Sequence, residues 1–315
     1  MKKYDFSYLI DKIYNKNFSK NPFTHIYIED FLSDEHFTEI VNSKEINTCK
    51  TTSDEELLET LSSNGYEIIS FPGCITNTRE YISWHKNKFK SNKYFGTNEG
   101  FGMVLRLTNP KSDILIALKD FITGKKFNIC IANKFSIDFE DSSIDGGIQK
   151  YLDGYEISPH PDLKAKAATF MVNINPDTIS EKLDHHTHYL KLVPERSYIE
   201  RLWEKNEKID RCWLPWDWAQ TIFQQTKNNS IVLFSPSHKT FHAVKADYDH
   251  LITQRTQLYG NLWYKSQKAH EVIDWKGLDI LSNTKSKSKT IRQKFTSLMP
   301  DNFKNSLKNS LKKFK

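Results

Sequence analysis

No run of about 18 apolar residues occurs in this 315-residue chain, so no membrane-spanning helix is expected. Cysteine is scarce: Cys49, Cys74, Cys130 and Cys212 are scattered with no C-x-x-C pair. That predicts reduced, mostly buried thiols in a cytoplasmic protein. An apolar leader is also missing, because Asp5 and Asp11 interrupt the stretch that would form one, and a secretory signal is not expected. There is no internal repeat and no low-complexity linker ahead of the C-terminal tail. What remains is ordinary globular material, 38% hydrophobic and 13% aromatic, enough for one large domain or two modest ones.

The net charge of +6 is unevenly placed. Residues 284–315 hold ten Lys and Arg against Asp301 alone, which leaves about −3 on everything before them. The body therefore carries no electrostatic footprint for nucleic acid, and no nucleic-acid partner is expected. In the tail, Phe303, Leu307, Leu311 and Phe314 form one apolar stripe among lysines. That is a basic amphipathic helix suited to an anionic membrane surface, with peripheral contact through residues 303–314. A solvated terminus is the competing reading.

Apolar spacing predicts a helix over residues 4–16, a strand within 22–32, and Ser33 as the N-cap of a following helix. Helices are expected over 54–63, 78–90 and 113–122, and strands over 101–107 and 127–139. From about residue 145 the texture changes to strands, including 169–174, 230–234 and 257–264, with a Trp-rich, partly helical insertion at about 177–228. Helices first and strands later predict an α+β chain with a mainly β core.

One segment stands out for chemistry. Tyr151 to Asp162 contains the chain's single H-x-D, His160 and Asp162. On a strand, residues two apart share a face, so the pair supplies two-thirds of a 2-His-1-carboxylate iron site. The best third ligand is His242, which follows the 230–234 strand and precedes Arg255 by thirteen residues; His238 is its competitor. The histidine-dense stretch Asp184 to Tyr189 lacks zinc spacing. Within it, His186 and His188 could share a face and line a substrate site; a polar strand edge or loop is the competing reading.

In order and spacing, these motifs resemble the 2-oxoglutarate- and Fe(II)-dependent oxygenases, most closely the prolyl-4-hydroxylase-like branch. Tyr151-x-x-Gly154 before His160-x-Asp162 is similar to that branch's Y-x-x-G and H-x-D. Met171 to Asn175 resembles the strand after it, Asn229 to Phe234 before His242-Ala243-Val244 resembles N-x-x-x-x-F and H-x-V, and Arg255 to Gly260 resembles R-x-S-x-x-G. Two features depart from the pattern: Gln257 stands in place of Ser or Thr, and residues 245–250 lengthen the His-to-Arg gap.

The resemblance implies a double-stranded β-helix (jelly roll) at about 125–264, within a single oxygenase domain of residues 1–283 that has N-terminal helical support, followed by the basic tail. It implies Fe(II) held by His160, Asp162 and His242, and 2-oxoglutarate held by Arg255 with Tyr151 as a hydrogen-bond donor. O2 is the oxidant, and ascorbate an optional reductant. The implied reaction is hydroxylation coupled to decarboxylation of 2-oxoglutarate to succinate. Halogenases of the family leave the carboxylate position open for halide, so Asp162 favours hydroxylation. The substrate is left open among small molecules, sugars and peptides. A silent jelly-roll binding module and a membrane-associated adaptor are the readings from other classes.

Overall fold

The computed structural model describes residues 4–71, 73–87, 100–206, 209 and 211–266. The chain divides into residues 1–272 and 273–315, and the second unit, with the tail expectation it carries, lies outside the described residues.

Among the described residues, eleven strands form two antiparallel sheets. The larger runs β1 (Ile26–Ile28), β9 (Ile231–Phe234), β6 (Lys166–Asn173), β11 (Arg255–Tyr264), β4 (Ser142–Tyr151), β3 (Val104–Leu107), β2 (Tyr66–Ile68). The smaller runs β5 (Glu156–His160), β10 (His242–Lys245), β7 (Thr187–Leu192), β8 (Ala219–Gln224). From β4 onward the chain passes between the two sheets repeatedly, an arrangement consistent with a jelly roll.

Period-two alternation on β11 explains how the large sheet faces two environments. Leu258 and Leu262 join Ile148, Ala168, Phe170, Val172 and Leu233 in the main core. That core is covered by α1 (Tyr8–Asn15), α2 (Asp34–Asn42), α3 (Asp54–Ser63), α5 (Asp113–Ile122) and α6 (Lys125–Lys134). Arg255, Gln257, Tyr259, Asn261 and Trp263 point the other way and line a cavity. Gly260 sits beneath Phe170, whose ring would stand 2.2 Å from any Cβ there, so a bare backbone is required at that crossing.

Several expectations need correcting. Residues 127–139 are not strand: α6 occupies 125–134, with Phe127 and Ile131 one turn apart in the core. Asn128 reaches back to the Ile122 and Gly124 carbonyls and ties α6 to the end of α5. Tertiary burial of one face overrides the β-branched composition that pointed to strand. The strand sought within 22–32 is only three residues long, and α4 (Thr78–His85) ends before residues 88–90, which lie outside the described set. The N-terminal part is more than helical support, since it contributes β1, β2 and β3 to the large sheet. The Trp-rich region supplies β7 and β8, half of the small sheet, together with the helix α7 (Tyr198–Lys205). The Ser33 N-cap accepts the His36 amide as expected.

Candidate metal centre

Residues 151–162 do not form one strand. Tyr151 ends β4, the chain turns through Gly154 at φ +78°, β5 covers 156–160, and Asp162 lies past its end. A side chain at Gly154 would meet the Trp84 ring at 2.2 Å, so glycine is required there both for the turn and for the approach. His160 faces inward because of a register shift. Ile157 pairs with Val244, whereas His160 pairs with His242, one residue out of step. That irregularity reverses the alternation that would have turned His160 outward.

His160 and His242 thus stand directly opposite, ring centroids 4.4 Å apart. Together with Asp162 they place one donor atom each within 4.8 Å of one another. Each ring is locked by a backbone carbonyl: His160 Nδ1 lies 2.8 Å from Ser158 O, and His242 Nδ1 lies 3.0 Å from Thr240 O. A carbonyl only accepts, so both Nδ1 atoms carry the hydrogen and both Nε2 lone pairs are left for a metal. Burial pushes the His160 imidazolium down to about 3, reinforced by His242, and lowers His242 as well. Both rings are therefore neutral at physiological pH. Burial works against the charge on Asp162, but Lys166 above all, then the two imidazoles, hold its carboxyl below the usual range. Lys166 Nζ donates to Oδ1 at 2.6 Å and Thr169 Oγ1 to Oδ2 at 2.7 Å.

The same cavity, about 250 Å³, contains Arg255. Its Nη2 donates to Thr187 Oγ1 (2.9 Å) and Gln257 Oε1 (3.0 Å), while Nη1 is buried with no hydrogen-bond partner. The guanidinium lies 4.5 Å over the Tyr151 ring, and the Tyr151 hydroxyl donates to Gln149 Oε1. Tyr151 thus meets Arg255 through its ring face. A buried cation with no acid in contact and a bare N–H is a ready receptor for a carboxylate.

Gln257 orients Arg255 and is itself held by donating to Asn173 Oδ1. Thr256 cannot substitute for the missing Ser or Thr: it points to the opposite face, where it accepts from Lys150. Residues 245–250 have a definite task. The Tyr248 hydroxyl donates to Tyr151 O and accepts the Arg255 amide, tying the end of β4 to the start of β11. Asn229, at φ 53°, clamps the Leu32 amide and carbonyl and so pins the end of the first strand segment.

Of the expected substrate-lining pair, neither His186 nor His188 lines the cavity. Thr187 between them does: alternation on β7 turns His188 to the other face, and His186 precedes the strand. His188 instead meets Thr221 and the Trp216 ring. His238 points to Glu204, at 3.7 Å, and is no competitor for the centre. Among the tryptophans of the 177–228 region, Trp213 lines the cavity, Trp203 is buried, and Trp216 donates to Glu156. Sequence reasoning missed Lys166, Thr169, Thr187 and Tyr248. Period two along β11 was the available signal for Tyr259, Asn261 and Trp263.

A second group, Asp54, His85 and His250, also gathers potential ligands. Its hydrogen bonding excludes a metal. His250 Nδ1 accepts the Asp153 amide at 3.0 Å, so Nε2 carries the hydrogen and donates to Asp54 at 2.8 Å. Both His85 nitrogens face carboxylates, Asp54 and Asp153, each at 2.8 Å. No imidazole lone pair is left over, and the group is a self-satisfied ionic network.

No protein-family model and no curated protein sequence matches the chain. The solved structures it is similar to include a prolyl hydroxylase from Trichoplax adhaerens in complex with a hypoxia-inducible-factor degradation-domain peptide, at 12% identity and TM-score 0.42, covering 85% of this chain and 99% of that one. A prolyl-4-hydroxylase from Pseudomonas putida is similar at 8% identity and TM-score 0.40, covering 82% and 98%. So is the epimerase SnoN in complex with Fe3+, alpha-ketoglutarate and nogalamycin RO, at 9% identity and TM-score 0.42, covering 84% and 87%.

Proposed function

We propose that this chain is an Fe(II)- and 2-oxoglutarate-dependent dioxygenase that hydroxylates its substrate. One observation carries the reading: two neutral imidazoles with free Nε2 atoms converge on a carboxylate in a cavity that also holds a buried guanidinium with an unpartnered N–H.

The donor set fits the metal. Two nitrogens and one carboxylate suit Fe(II) and leave positions open for a chelating cosubstrate and O2. When bound, the iron and 2-oxoglutarate supply the oxidising chemistry, with succinate and CO2 as co-products. The chain's own residues bind, orient and exclude water. The Ser158 and Thr240 carbonyls fix the ligand rings, and Thr169 holds one oxygen of Asp162. Arg255, steadied by Thr187, Gln257 and the Tyr151 ring, receives the distal carboxylate of the cosubstrate. Buried Tyr151, whose ring lies under the guanidinium, and Tyr155 line the cavity beside that cation and keep bulk water from competing.

The test is anaerobic titration of Fe(II) and 2-oxoglutarate, following the visible charge-transfer band of the chelate. The wild type is expected to give the band, and Asp162→Ala and His242→Ala to lose it. A wild type without the band would leave the silent binding module as the better account, and variants that keep it would overturn the assignment of Asp162 and His242 as ligands.

A further inference from the structure

The charge balance of the cavity points to the substrate. Among the described residues its lining contains four cations, Arg106, Lys166, Arg211 and Arg255, against two carboxylates, Asp145 and Asp162. An Fe(II) dication and a 2-oxoglutarate dianion cancel one another, so loading the site leaves this excess of positive charge in place. In a partly desolvated cavity such an excess favours an anion as the third occupant.

Lys166 is the cation best placed to receive it. Its Nζ has one carboxylate partner, Asp162, bound through Oδ1, while Thr169 holds Oδ2. A metal on Asp162 must share that carboxylate with the ammonium. Two cations on one carboxylate weaken each other's attraction, and the ammonium is left beside a dication. The Lys166 side chain is 17% exposed, and its Nζ lies 5.4 Å from the Trp263 ring centroid. Trp213, Tyr259 and Trp263 offer ring faces in the same cavity for an apolar body. Arg106 is shared with Asp145 at 3.7 Å and stacked on Tyr259, and Arg255 lies behind Thr187 and Gln257.

We propose that the substrate is an organic anion whose carboxylate or phosphate group is received by Lys166 once Asp162 is committed to the metal. This rests on the iron reading above.

The experiment uses the full chain loaded anaerobically with Fe(II) and 2-oxoglutarate, with phenylacetate, phenyl phosphate and neutral phenylacetamide as probes. Metal affinity is measured separately by equilibrium dialysis. One or both anions are expected to shift the chelate band while the amide does not, and the anion that acts identifies the group. Lys166→Met is expected to bind Fe(II) at least as tightly as the wild type but to need ~10-fold more anion for the same shift, the loss of one charge-assisted hydrogen bond. Lys166→Arg is expected to respond like the wild type. An amide as effective as the anions, no response to either anion, or a Lys166→Met response equal to the wild type would overturn the proposal. So would loss of Fe(II) binding in Lys166→Met with recovery in Lys166→Arg, which would make Lys166 a positioning residue for Asp162 alone. Absence of the band in the wild type would instead remove the iron reading, and this proposal with it.

Discussion

Arg255 shows how one side chain can matter more to function than to folding. It is 2% exposed, meets two neutral acceptors and has its Nη1 amino group unused. Burying an uncompensated cation is costly in the apo protein, and removing it relieves that cost while leaving the Thr187 and Gln257 oxygens bare. The two effects nearly offset. Arg255→Met is therefore expected to stay within about 1 kcal/mol of wild-type stability in urea denaturation. Its affinity for 2-oxoglutarate in the chelate titration is expected to fall by about 100-fold, because the distal carboxylate loses its only buried charge partner. A variant that unfolds with its affinity intact would contradict this account.

At the scale of elements, the joints between strands do the positioning. The register shift in β5 turns His160 inward, and the segment after β10 carries Tyr248 to the Arg255 amide. A buried ionic network anchors both joints: His85 at the end of α4 bridges Asp54 at the start of α3 to Asp153 in the β4–β5 turn, and His250 joins from the segment after β10. Burial lowers the His85 imidazolium, but the hydrogen bonds to Asp153 and Asp54 outweigh it and raise it to about 9. Because the folded value lies above the unfolded one, the stabilisation is fully present below about pH 6.5 and is lost as pH rises through 9. The wild type is therefore expected to lose thermal stability between pH 7 and pH 10 more steeply than His85→Gln, which starts lower and lacks this titration. Parallel curves for the two proteins would show that the network is not charged as described.

For the whole molecule, the candidate metal group is assembled across two elements of the small sheet and a loop, and Arg255 comes from the large sheet. Occupying the cavity therefore clamps the sheets together and favours the folded state by mass action. Mn(II) with 2-oxoglutarate at 100 times the dissociation constant contributes about 2.7 kcal/mol. That is expected to raise the melting temperature by roughly 4–5 °C for a chain of this size, and a chelator is expected to reverse it. His85→Gln should keep the shift and Asp162→Ala should lose it. The opposite pattern would move the metal to the Asp54, His85 and His250 group.

The sequence by itself determined the strand-rich second half, most helix positions, and the order His160, Asp162, His242, Arg255 that marked the candidate site. These are properties of local periodicity, capping and motif spacing, and they can be read along a chain. Only the tertiary structure decided the rest. It made residues 125–134 a helix, because a buried face outweighs local composition. It aimed His160 through a register shift and placed Thr187 rather than His186 or His188 in the cavity, because which face points inward depends on pairing with a distant strand. It separated two similar His and Asp groups by a single hydrogen-bond donor, the Asp153 amide on His250 against the carbonyls on His160 and His242. A tautomer is set by whatever lies within 3 Å in space, and spacing along the chain carries no record of it.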